Sequence, residues 1–136
     1  MKHLPLLVLA SFSVAACSFS PSTEPAFLPR LDPPPPGIDE IRLTASLSGT
    51  LEVVRGCVRV AGGSSGFTTV LWHSGTELDR DGSGYFLRNA RTGTLYRFGQ
   101  RIEFGGGEAS REWIEREYPD TAKRCGPPYA SGWLPR

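Results

Sequence analysis

Between Tyr96 and Phe104 apolar and polar residues alternate. Tyr96, Phe98, Ile102 and Phe104 fall on one side of an extended chain, and Arg97, Arg101 and Glu103 on the other. A helix, with its 3.6-residue period, would scatter the same residues around its circumference. The stretch therefore predicts strand with one face buried and the other wet, as in an antiparallel sheet. Gly99-Gln100 is the point at which it is expected to divide into two strands.

Short apolar runs punctuated by turn residues continue through residues 41–136. Leu47 to Val54 and Cys57 to Ala61 read as strands hinged at Arg55-Gly56, and Gly62-Gly63-Ser64-Ser65-Gly66 as a flexible loop. Phe67 to Trp72 reads as a strand, Asp79–Gly84 as a turn, Tyr85 to Arg88 as a strand and Thr92-Gly93 as another turn. With 16 glycines and 12 prolines in 136 residues, strong helix-forming stretches are few. One helix is expected from Ala109 to Tyr118: Ser110 can cap it, Trp113, Ile114 and Tyr118 form its apolar stripe, and Pro119 stops it. The fold class that follows is mainly β, in a single domain over residues 41–136. A small antiparallel barrel of OB-like type is the first expectation and a small sandwich the second, with one short helix.

Upstream the chain changes character. Lys2 and His3 make a positive start, Leu4 to Ala16 is almost wholly apolar, and small residues close the segment, the pattern of a secretory signal peptide over residues 1–16. The apolar run is too short to cross a hydrocarbon core of about 30 Å as a helix. Val14-Ala15-Ala16-Cys17 resembles the lipobox of bacterial lipoproteins, in which an apolar residue and two small ones precede a cysteine. The resemblance implies cleavage between Ala16 and Cys17, diacylation of the Cys17 sulfur and acylation of the new amino group. Each buried methylene contributes about 0.8 kcal/mol, so two or three long chains hold a protein stably on a membrane. Ser18 stands where such lipoproteins often carry an Asp that retains them at the inner membrane. The expected location is thus the bacterial cell envelope, on the periplasmic side of the outer membrane. Residues 17–40 then read as lipid anchor and proline-rich linker, with seven prolines between Ser18 and Gly37 favouring an extended polyproline II spacer.

Assigning Cys17 to the anchor leaves Cys57 and Cys125 as a pair, which in an exported domain is expected to bridge. Closing so long a loop is worth about 4 kcal/mol on the chain-entropy account. A second set of residues points the same way: Gly56-Cys57-Val58-Arg59-Val60, Val70-Leu71-Trp72, Gly105-Gly106-Gly107-Glu108 and Cys125-Gly126-Pro127-Pro128-Tyr129. In this order they resemble a group of small exported bacterial β-domains of uncharacterised type. The chain departs from that group after Trp72, where His73-Ser74-Gly75 replaces a proline-rich turn. The likeness implies the disulfide and the fold, and no activity.

The remaining residues offer chemistry only in fragments, and a net charge of +1 steers the chain to no particular partner. Asp79-Arg80-Asp81-Gly82-Ser83-Gly84 resembles half a calcium loop, but its twelfth position is Ala90 rather than an acid, so a hairpin is expected. His73 beside Ser74 suggests base and nucleophile, yet neighbours on a strand point to opposite faces, and no nucleophile elbow accompanies them. Glu77 and Asp79 suggest a glycosidase acid pair, but acids are common in turns and nothing else points to a sugar cleft, and Gly105-Gly106-Gly107 lacks the partners of a phosphate loop. Arg88, Arg91, Arg97 and Arg101 lie among Tyr85, Phe86, Tyr96 and Phe98 as on single-strand-binding surfaces, but the alternation and export argue against nucleic acid. With no CxxC and His73 alone beyond the signal segment, neither metal nor cofactor is expected. The sequence thus predicts a non-enzymatic, membrane-anchored interaction or structural module with an envelope protein partner. The alternative is an OB-like domain binding a small envelope ligand such as a glycan fragment; a hydrolase comes last.

Overall fold

The computed structural model describes residues 24–62 and 66–136. Eight strands and two helices follow in order: β1 Ala45–Val54, β2 Cys57–Ala61, β3 Phe67–Trp72, β4 Thr76–Asp81, β5 Gly84–Asn89, β6 Leu95–Arg97, β7 Arg101–Ala109, α1 Arg111–Glu117, α2 Pro119–Cys125 and β8 Tyr129–Trp133. Five strands close a barrel in the order β1-β2-β3-β8-β7, and β4-β5-β6 form a separate three-stranded sheet. Three consecutive strands and a fourth, β7, that returns beside the first make a Greek key, the connectivity of OB-type barrels. The expected barrel therefore forms. One pair departs from an all-antiparallel arrangement: β8 runs parallel to β3, with Thr69 opposite Tyr129 and Trp72 opposite Gly132. A parallel neighbour needs a long crossover, and the chain supplies it through β4–β7 and the two helices.

Local chemistry accounts for most element ends. Val54 faces Cys57 across a two-residue turn in which Arg55 (φ 51°) and Gly56 (φ 78°) both take the left-handed region, as a tight hairpin demands. Ser110 caps α1 by accepting a hydrogen bond from the Trp113 amide, and Pro119 ends that helix. The chain does not then leave helical conformation, because Pro119 is also the first residue of α2; two helices stand where one was expected. The turn expected over Asp79–Gly84 contracts to Gly82-Ser83, since Asp79 and Asp81 pair with Phe86 and Gly84 in the β4–β5 ladder. Tyr96 and Phe98 belong to the small-sheet side and Ile102 and Phe104 to the barrel, divided at Gly99 (φ 84°), yet all four pack on one core.

That core fills the barrel. Leu51, Val58, Val60, Val70 and Ile102 surround Trp72 and Phe104, whose rings lie 5.0 Å apart, and Leu87 brings in the small sheet. A second cluster of Leu71, Ile114 and Tyr129 seats the helices on the outer barrel wall. Strand β3 is consequently covered on both faces, the physical reason for its unbroken Val70-Leu71-Trp72 run. Cys57 and Cys125 are bonded, Cα atoms 5.6 Å apart, tying the start of β2 to the end of α2.

The proline-rich linker joins the folded body earlier than its composition suggests. Leu28 and Pro29 are buried, the Phe27 amide donates to the Gly56 carbonyl and the Trp72 amide to that of Pro29, at 2.7 and 3.0 Å. An extended backbone has no internal hydrogen bonds, so its carbonyls remain free to accept from strand edges, and Pro29 sacrifices no donor it needed. Residues 1–16, Cys17 and the start of the linker lie outside the described residues.

Candidate functional site

The triple glycine organises the most distinctive surface of the molecule. Gly105, Gly106 and Gly107 lie within β7 rather than in a loop before the helix. A Cβ at Gly105 would strike the Trp133 ring, one at Gly106 the Ser131 carbonyl, and one at Gly107 would come within 2.6 Å of Leu43. The absent side chains therefore let β8 and the segment before β1 press closely onto β7. There the Trp133 indole donates to the Leu43 carbonyl at 2.9 Å, and Arg42 lies over the Trp133 ring at 5.7 Å.

Held this way, Ile41 and Leu43 face Trp113 of α1 across a groove of about 320 Å³. Its walls are largely apolar; Leu31 and Ala109 complete them, and Glu108 stands at the rim. Its floor is polar. His73, following β3, and Ser131 of β8 both line it, brought together because Leu71 pairs with Ser131 and the His73 amide donates to the Gly132 carbonyl at 2.9 Å. His73 and Ser131 are 4% and 8% exposed, and the Ser131 hydroxyl has no partner among the described residues.

Glu40 anchors this floor. His73 Nδ1 lies 2.9 Å from Glu40 Oε1, the Ser74 hydroxyl donates to the same oxygen at 3.1 Å, and Arg42 Nη2 and Nε donate to Oε2 at 2.7 and 2.9 Å. Burial raises the Glu40 carboxyl, but the donors Arg42, His73 and Ser74 outweigh it and hold the group below the usual carboxylate range. His73 and Ser74 follow the end of β3 in a turn, so their side chains do not point to opposite faces as expected of strand neighbours but converge on one carboxylate oxygen rather than on each other. His73 and Ser131 close the inner end of the groove, with His73 Nδ1 and Ser131 Oγ themselves sealed from solvent. Glu40 and Ser131 carry no local signal of this role: one lies in a linker-like stretch, the other among small residues.

The other sequence candidates are engaged elsewhere. Arg88 binds Glu77 at 3.2 Å and Asp79 at 2.9 Å, so the two acids are bridged by a cation across the β4–β5 pair. The Arg80 amide and then Arg88 hold the Asp79 carboxyl below its ordinary range, which makes it a poor proton donor. Arg97, followed by the Ser83 amide, lowers Asp81 to about 2. Asp79 and Asp81 lie in the β4–β5 hairpin, where Asp79 accepts from Arg88 and Asp81 from the Ser83 amide, and among the described residues no three His, Cys, Asp or Glu side chains gather at metal-ligand spacing. Arg88 and Arg97 lie over Phe86 at 5.6 and 5.4 Å, and Arg101 donates to Ser48. Arg91 lies apart, in a small cleft with Asn89 and Arg136. No family model, no curated protein and no solved structure matches the chain, so the two resemblances gain no support from these comparisons.

Proposed function

We propose that the chain is a bacterial envelope lipoprotein, anchored through lipid on Cys17, whose barrel is a non-catalytic module that docks an envelope protein partner through the Trp113 groove. One observation carries the docking reading: Ile41 is 85% exposed, Leu43 45% and Trp113 38%, and all three border the same groove. Exposing three large apolar side chains together is unfavourable in water, and coverage by a partner relieves it. Leu43 and Trp113 are held by hydrogen bonds and helix packing, so little ordering is lost on contact. The lipobox-like Val14-Ala15-Ala16-Cys17 supports the anchor, and Ser18 the outer membrane, periplasmic side.

Co-purification of the anchored protein from its own envelope tests this, in wild-type form and as Trp113→Ala. A protein retained by the wild type and lost from the variant supports the docking reading; equal retention by both refutes it. Cys17→Ala is expected to release the domain from membranes, and continued retention would sink the anchor. The glycan alternative draws support from one feature, the barrel mouth of about 440 Å³ lined by Leu47, Val60, Val70 and Phe104 with Thr68 and Arg101 at its edge. Recovery of a saccharide displaced by Arg101→Ala would favour it.

A further inference from the structure

Most arginines of the molecule have an acceptor: Arg42, Arg88, Arg97, Arg111 and Arg116 hold carboxylates, Arg59 backbone carbonyls and Arg101 a hydroxyl. Arg55, Arg91 and Arg136 do not, and neither do Arg30, Arg80 and Arg124, for whose guanidinium groups no carboxylate or carbonyl lies within bonding distance among the described residues. The last three come from three elements, the N-terminal strap, β4 and α2, and they line one cleft of about 640 Å³. Arg124 Cζ lies 4.7 Å from the centre of the Phe27 ring, a contact that engages the face of the guanidinium and takes none of its N–H donors. Among the described residues lining the cleft there is one carboxylate, Asp79, and that is neutralised by Arg88 at 2.9 Å. Its remaining wall is Pro25, Ala26, Leu28 and Leu78 with Tyr85, whose hydroxyl accepts from the Ala26 amide at 3.3 Å.

Three cations brought together without a counter-ion repel one another, and a phosphate with its several acceptor oxygens satisfies them in bidentate fashion. The position of the cleft says which phosphate. Pro25 lies eight residues after Cys17, a span of at most about 30 Å even when fully extended. A lipid on Cys17 therefore keeps the cleft close to headgroups of the same bilayer. We propose that Arg30, Arg80 and Arg124 form a phosphate-binding cleft for the headgroup of an anionic phospholipid, which orients the barrel on its membrane. The inference rests on the anchor reading above, because the anchor is what selects a lipid over a free phosphate.

The test uses the full chain as Cys17→Ala, so that no acyl chain contributes, and compares co-sedimentation with vesicles of phosphatidylglycerol in phosphatidylcholine against phosphatidylcholine alone. The apolar segment at residues 4–16 is common to every variant, so the readout is the ratio between the two vesicle types. Each arginine near an anionic surface contributes about five-fold to partitioning, so Arg80→Ala with Arg124→Ala is expected to cut the ratio about 25-fold. Arg91→Ala removes a charge outside the cleft and is expected to change it far less. An equal loss from Arg91→Ala, or no preference for phosphatidylglycerol, overturns the proposal. So does millimolar inorganic phosphate that saturates the cleft by NMR without any vesicle binding, which would mark a free-phosphate site. Intact-mass measurement of the native protein separates the two readings: an unmodified Cys17 refutes the anchor, whereas the vesicle ratio judges the cleft.

Discussion

Replacing Gly107 with alanine is expected to loosen the groove without unfolding the barrel. The new Cβ would lie 2.6 Å from Leu43 Cδ1 and 2.9 Å from Leu43 Cβ, closer than such atoms pack. Leu43 is 45% exposed and precedes β1, so it can swing toward solvent. The cost is the Trp133–Leu43 hydrogen bond, about 1 kcal/mol net, and part of the leucine burial, for about 1–2 kcal/mol in total. The melting temperature should fall by about 5–10 °C for a domain of this size. Gly106→Ala provides the contrast, because its Cβ would meet the Ser131 carbonyl in the paired strand, and backbone in a closed barrel cannot step aside. That substitution should cost about 3 kcal/mol or more. Urea unfolding gives both stabilities, and exchange of the Trp133 indole N–H reports the groove directly. If Gly107→Ala proves as costly as Gly106→Ala, or leaves the indole proton protected, the account of the glycine triplet is refuted.

Cys57→Ser with Cys125→Ser should lower stability by about 4 kcal/mol, and non-reducing peptide mapping of the parent should recover the two cysteines joined; free thiols would refute the pairing. The Asp81 carboxyl is lowered from 3.8 to about 2, so its contribution is complete above about pH 4 and is lost as pH falls toward 2. An NMR titration should place its midpoint near the lower value and return it toward 3.8 in Arg97→Ala; an unshifted midpoint in the wild type contradicts the ion pair. Glu40→Gln should destabilise by about 1–2 kcal/mol at neutral pH, since three donors lose a charged acceptor. Because the Glu40 carboxyl is depressed, wild type and variant should converge as pH falls below the carboxylate range; a constant difference would argue against the charge.

Features that depend on neighbours in the chain were readable without the fold. Alternation marked β6 and β7, apolar runs β1, β2, β3 and β5, Arg55-Gly56 their first turn, and Ser110 and Pro119 the ends of α1, whereas β4 was read in part as turn. The Cys57–Cys125 bond followed from the cysteine count once Cys17 was set aside. Strand β8 was not legible: Tyr-Ala-Ser-Gly-Trp has no clear period, and its small residues are favourable only because β3 and β7 press on both sides. The strap at Leu28-Pro29 was hidden in the same way, for its extended backbone becomes ordered only where strand edges offer donors.

The candidate site divides along the same line. Sequence alone determined that the chain carries one histidine beyond residues 1–16, a run of three glycines and exposed-face arginines, because these are facts of composition and local period. Only the tertiary structure decided that the glycines lie beneath Leu43, Ser131 and Trp133, that His73 meets Glu40, and that Arg30, Arg80 and Arg124 share a cleft. Glycine records where a side chain is absent, not what fills the space. The Leu43–Trp133 contact joins residues 90 positions apart and exists only when the barrel closes.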